Sequence, residues 1–186
     1  MPLAGAQEYA DMLWLDIEAS GHQPGAYPIE VGWCGIDLSP VSFLIRPLAK
    51  WGVEDWSSSS ERAHGIPRQR LFDLGAAASD IADWLNAACR GRTVLSDNPT
   101  HDSVWLDKLY ADIGGKKEFV LFDAVHAAGV AAGLSGLSQP EADSLLERVH
   151  QRFPHPHRAG PDARRSVAEF LVLAMPHCLQ EIEDMA

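Results

Sequence analysis

Short apolar runs and stretches of helical period alternate along this chain, and their order predicts its elements. Met12-Leu13-Trp14-Leu15 is unbroken and apolar, and Asp16-Ile17-Glu18 prolongs it with two acids two residues apart. Such a run reads as a buried central strand, with Asp16 and Glu18 on one face and Leu15 and Ile17 on the other. Ala19 to Gly25 is a turn-forming run whose small residues let a ligand approach the backbone. Tyr27 to Asp37 then sets Ile29, Val31 and Trp33 against Glu30 and Gly32, and Val41 to Ile45 follows a Ser39-Pro40 turn. Residues 12 to 46 therefore read as an antiparallel meander.

Residues 47 to 74 read as irregular, with Ser57 to Ser60 as a flexible loop tip. From Ala76 to Cys89 the period becomes helical, with Ile81, Trp84, Leu85 and Ala88 on one face, and Thr93-Val94-Leu95 is a short strand running to Asp97. Asn98 is placed to cap the next helix with Pro99 at its first position, and Asp102 falls on the inward stripe of Trp105, Leu106 and Leu109. A fifth strand is expected over Glu118 to Phe122, and helices over Ala124 to Ala132 and Glu141 to Val149. A stiff loop from Phe153 to Asp162 enters a last helix, with Val167, Phe170, Leu171 and Ala174 buried and Pro176 as its stop. Residues 177–186 are expected to be an exposed tail, and Trp14, Trp33, Trp84 and Trp105 to be core. The order defines an α/β domain with a mixed sheet, antiparallel where hairpins make it and parallel where helices cross over.

Composition narrows the function. The 186 residues suit one domain, and 26 acidic against 15 basic side chains argue against a grip on long duplexes, which needs a basic face. Three cysteines without close spacing suggest a reducing compartment and no thiolate zinc site. Neither a signal peptide nor a membrane-spanning run is evident, so a cytoplasmic protein with no membrane partner is expected.

Two acids side by side at a strand end repel each other, and holding both ionised calls for a cation. Asp102 on an apolar stripe likewise calls for something positive, with Asp97 as a rival for its role. Taken singly, Asp162 reads as a first-turn helix acid and His157 as a surface histidine.

Together, Asp16-Ile17-Glu18, Ile29-Glu30-Val31-Gly32, His64-Gly65-Ile66, Asn98-Pro99-Thr100-His101-Asp102 and His157-x4-Asp162 resemble, in order, the motifs of the DEDDh exonucleases of the ribonuclease H-like superfamily. That group includes polymerase proofreading subunits and oligoribonucleases, and His101 stands where its second motif carries an aromatic residue. The resemblance implies a 3′-to-5′ exonuclease that releases mononucleotides from single-stranded DNA or RNA ends. It implies two divalent ions, Mg2+ or Mn2+, held by Asp16, Glu18, Asp102 and Asp162, with His157 as general base. Ala19, Ser20, Gly21 and His64 would line the substrate site. Oligomeric state is open, a homodimer being one option. The alternatives are a non-catalytic module that binds nucleic acid or a partner on the same fold, or a hydrolase of other small phosphodiesters.

Overall fold

A computed structural model describes residue 3 and residues 5–186. The described residues form a five-stranded sheet of order β3-β2-β1-β4-β5. Its strands are β1 (Met12–Ala19), β2 (Pro28–Cys34), β3 (Val41–Leu44), β4 (Thr93–Ser96) and β5 (Leu121–Asp123). β1 to β3 pair antiparallel, while β4 lies parallel to both β1 and β5. The chain is thus the mixed α/β sheet that the order of runs predicts.

Helices cover both faces, because β1 is apolar on both. Trp14, with Cys34 and Leu95, packs under α5 (Ala124–Leu134), α6 (Gln139–Arg152), α7 (Ala159–Ala174) and α8 (Leu179–Asp184). Leu13, Leu15 and Ile17 face the other way, towards Leu71 of α2 (Arg68–Leu74), Ile81 and Leu85 of α3 (Ala78–Cys89), and Leu106 and Leu109 of α4 (Pro99–Ile113). Asp16 and Glu18 therefore stand on the α7 side of the sheet, as the alternation requires.

Four local expectations need correction. The 47–74 segment holds two helices, α1 (Ser58–His64) and α2, because the Ser57 hydroxyl accepts the Ser60 N–H at 3.3 Å and Gly65 closes α1 in the left-handed region at φ 66°. Trp84 is 41% exposed, since Ala82 and Cys89 take the inward stripe with Ile81 and Leu85; its ring rests on Phe43 at 4.7 Å. The fifth strand starts at Leu121 rather than Glu118, with Phe119 buried beside Tyr110. Residues 179–184 form α8, where Leu179 and Ile182 are buried and Arg148 grips the Glu183 carboxylate with Nε and Nη2 at 2.9 and 2.6 Å.

The N-terminal turn of α7 lies directly on β2. A Cβ on Gly32 would come within 2.3 Å of the Gly160 nitrogen and 2.4 Å of the Ala159 carbonyl carbon, both backbone atoms with little freedom to yield. Glycine is needed here for proximity. Gly129, inside α5, would carry a Cβ into open space. We expect Gly32→Ala to destabilise the fold by about 1–3 kcal/mol or more, and Gly129→Ala to stabilise it by up to about 1 kcal/mol. Guanidinium chloride unfolding curves measure both; equal effects would mean that α7 does not press on β2 as described.

Candidate active site

β1 and β4 run parallel as neighbours and so end on the same edge of the sheet, where open α/β folds gather their chemistry. Asp16 and Glu18 lie near the end of β1, opposite Gly32 and Glu30 of β2, and the register breaks just after Glu18. That irregularity ends the pairing beside the two acids. Asp97 follows β4, and Asp102 sits in the first turn of α4. Asp162 occupies the first turn of α7.

These segments meet in one cleft of about 450 Å3, lined among others by Asp16, Glu18, Asp97, Asp102, His157 and Asp162. Asp16, Glu18 and Asp162 bring one oxygen each within 4.8 Å of one another, and Asp16, Asp97 and Asp102 form a second such group. All four acids of the motifs thus share a cleft. Asp97 joins them, beside Asp102.

Local bonds fix each carboxylate. Asp102 is 2% exposed, and its Oδ2 accepts the Ser96 hydroxyl at 2.5 Å. Ser96 in turn accepts the Asn98 N–H at 3.0 Å. Asn98 is the N-cap residue of α4 but makes no side-chain cap bond; its Oδ1 lies 2.9 Å from His101 Nδ1 instead. Asp162 is 4% exposed, and its Oδ2 accepts the Arg158 N–H at 2.9 Å, while its buried Oδ1 has no partner among the described residues.

Glu30 and Arg158 position this last acid. Glu30 is 1% exposed, yet its carboxylate accepts Arg158 Nε and Nη2 at 2.9 and 2.6 Å and the Ala159 N–H at 3.1 Å. This two-pronged pair ties the start of α7 to β2 across the sheet. Neither residue stood among the expected site residues, although Glu30 lies inside a motif the sequence displays.

The electrostatics record crowding. Burial raises the Asp16 carboxyl well above its ordinary range, with Asp102, Glu18, Asp97 and Asp162 adding to the effect. Burial, then Asp162 and Glu30, push Glu18 up to about 8, with Arg158 opposing. Burial lifts Asp102 to about 7 against the Ser96 bond, and lifts Asp162 against the pull of His155. Carboxylates that raise one another and leave a buried oxygen unmatched fit the demands of hard divalent cations, which take oxygen ligands.

The expected substrate residues divide. His64 and Ala19 line the cleft. Ser20 is fully buried, accepting the Tyr27 N–H at 3.0 Å and donating to the Asp55 carbonyl at 2.8 Å, so it shapes the turn; His22, not Gly21, continues the cleft wall. Burial keeps His64 neutral, and its Nδ1 accepts the Ile66 N–H at 3.0 Å. The ring hydrogen therefore sits on Nε2, which is buried without a partner. His157 lies on an exposed loop at φ 54°, its ring 4.7 Å from that of His155, and His155 Nε2 is 3.2 Å from Asp162 Oδ2. His155 was missed because a loop histidine without motif spacing carries no signal.

Sheet order, strand directions and the acid-lined edge define a ribonuclease H-like α/β fold. No family model matches the chain, and no curated protein matches its sequence. Solved structures do. The chain is similar to Escherichia coli exonuclease I in complex with a dA16 oligonucleotide, at TM-score 0.65 and 16% identity over 91% of this chain and 42% of that one. It is likewise similar to the zinc-bound form of the E. coli exonuclease I–ssDNA complex, at TM-score 0.64 and 17% identity over the same shares. A third match is exonuclease I from Methylocaldum szegediense, at TM-score 0.58 and 13% identity, covering 91% of this chain and 42% of that one. The chain spans about two fifths of the length of these structures. Among the described residues no helix is long and apolar enough to cross a membrane.

Two predictions follow from the site's charges. Unfolded carboxyls lose their protons near pH 4, whereas Asp102 and Glu18 in the fold keep theirs to about 7 and about 8. Between those limits the folded state holds more protons than the unfolded one, so stability falls as pH rises. We expect the melting temperature of the metal-free protein to climb on acidification from pH 8 towards 5, and Mn2+ to raise it most at pH 8. A flat metal-free profile would mean that the acids are not crowded. Arg158→Ala leaves the Glu30 carboxylate buried without its cation; with Arg158 one-third exposed, the lower end of about 3–5 kcal/mol is the expected loss in denaturant unfolding. A loss below about 1 kcal/mol would demote the pair to a surface bridge.

Proposed function

We propose that the protein is a metal-dependent 3′-to-5′ exonuclease that releases nucleoside monophosphates from single-stranded ends. One observation carries the reading: five acids from β1, the end of β4, α4 and α7 converge on one cleft beside an imidazole, on a fold whose solved likenesses include exonuclease I in complex with an oligonucleotide. The His157-x4-Asp162 spacing supports the DEDDh type within that class.

Asp16, Glu18 and Asp162 would hold one divalent ion, and Asp16, Asp97 and Asp102 a second, Mg2+ or Mn2+. Bound there, such ions lower the pKa of water and offset charge building on the phosphate and the leaving oxygen. His157, which lines the cleft beside the carboxylates, takes the proton of the attacking water. Asp162 and His157 belong to one loop–helix unit, so the Glu30–Arg158 pair positions both. His64 and Ala19 line the cleft where the end of the strand would lie. The net charge of −11 favours short strands, because a long phosphate backbone finds little basic surface to lie on.

End-labelled DNA and RNA oligonucleotides of several lengths, with Mg2+ or Mn2+, test the reading. We expect stepwise shortening from the 3′ end, a loss of at least about 10³-fold for Asp16→Ala, and a fall in kcat of about 10²–10⁴-fold for His157→Ala. An active Asp16→Ala protein sinks it. Binding without any product favours a non-catalytic module instead.

A further inference from the structure

A second ligand set, different in chemistry, abuts the carboxylates. His155, His157 and Asp162 each bring one donor atom within 4.8 Å of the others. A His–Asp contact of 3.2 Å is, alone, an ordinary hydrogen bond. Two further observations set this one apart. A second imidazole stands beside the first, ring centres 4.7 Å apart, and the almost wholly buried Asp162 keeps Oδ1 without a partner.

We propose that His155, His157 and Asp162 bind a zinc-class cation. Around a four-coordinate zinc, N and O ligands at about 2.0–2.2 Å lie some 3.3 Å from one another, close to the His155–Asp162 separation of 3.2 Å. Imidazole donors suit zinc, whereas Mg2+ and Mn2+ prefer an all-oxygen set, so the two cation classes sort between neighbouring sites. The loop is built for fixed geometry: Pro154 and Pro156 alternate with the histidines, Pro161 follows, and His157 is held in the left-handed region, at a cost of about 1–2 kcal/mol for a non-glycine residue. Both rings are solvent-accessible, which leaves an entry path and room for water as the fourth ligand.

Asp162 belongs to both sets, so zinc on its Oδ2 draws on the charge of a carboxylate shared with Asp16 and Glu18, and zinc on His157 occupies the imidazole lone pair needed to accept a proton. Zinc is then an inhibitor. The inhibition rests on the exonuclease reading above; the binding does not.

The test uses the full chain, stripped of metal and titrated with Zn2+ against a chromophoric chelator, with Co2+ absorption reporting coordination number. We expect His155→Ala to weaken Zn2+ binding at least about tenfold, and Asp16→Asn to leave it within about twofold while weakening Mn2+ instead. Co2+ should give the intense visible bands of a four-coordinate ion, and Zn2+ should shift the imidazole resonances of His155 and His157 in the wild-type protein. Against Mg2+-supported cleavage, His155→Ala should need at least about tenfold more Zn2+ for half-inhibition, relative to its own zinc-free rate. Unchanged zinc affinity in His155→Ala, unmoved imidazole resonances, or zinc binding lost in Asp16→Asn would overturn the site. Zinc held through His155 in a protein that cleaves nothing leaves the site standing and removes the exonuclease reading.

Discussion

The pair between Glu30 and Arg158 is the constraint on which the arrangement turns. β1 supplies Asp16 and Glu18 from within the sheet, but Asp162 and His157 arrive more than a hundred residues later, on a loop and helix that nothing local aligns with β1. A buried carboxylate on β2 that grips the guanidinium and the Ala159 amide fixes where α7 begins. Gly32 then lets the helix backbone settle against the strand. An ion pair of this kind adds little net stability over well-packed apolar groups, because desolvation offsets much of the attraction. Its value is register: it selects one docking of α7, and with it one position for Asp162.

That selection matters because the site opposes the fold that carries it. Several acids in a half-buried cleft raise one another's proton affinity and prefer to be apart or protonated. The two apolar layers must outweigh that repulsion, and they do so with fully buried side chains on both faces of β1: Trp14 on one, Leu13 and Leu15 on the other. The acids of the cleft stay close together as a result. Its crowded acids hold the positions that a positive charge would otherwise have to enforce.

Much of this was legible beforehand, for physical reasons. The apolar run with acids at alternate positions declares the strand and sets Asp16 and Glu18 on one face, since period two decides which side chains share a face. Strand directions followed from hairpin-length against crossover-length connections. The misses share a cause, which is reading segments without their tertiary partners. Ser57 looks like a loop residue until its hydroxyl meets the Ser60 amide. The tail looked exposed because its acids are conspicuous, whereas Arg148 neutralises Glu183 and Ile182 is buried. Ser20 seemed free for a ligand, but two backbone groups had claimed its hydroxyl. His155 and Arg158 carry no pattern of their own, and only the folded chain shows what each touches.

The remaining question is how a protein of net charge −11 would admit a polyanion. Long-range attraction cannot draw a phosphate strand to such a surface, and at physiological ionic strength charges more than about 8 Å away are screened in any case. Recognition must therefore be local. Cations on the carboxylates would reverse the sign of the cleft, so that a phosphate would be attracted only to a loaded site. The nearby donors are sparse: the His64 Nε2–H is buried, and His22 and His101 gather around Trp105 at ring distances of 5.7 and 6.1 Å. On the proposed reading, a surface of this kind would hold the last nucleotide and little beyond it. Affinity would then be set by the metal-loaded end of the strand rather than by its length, which would suit the proposed trimming of ends and not a grip on duplexes.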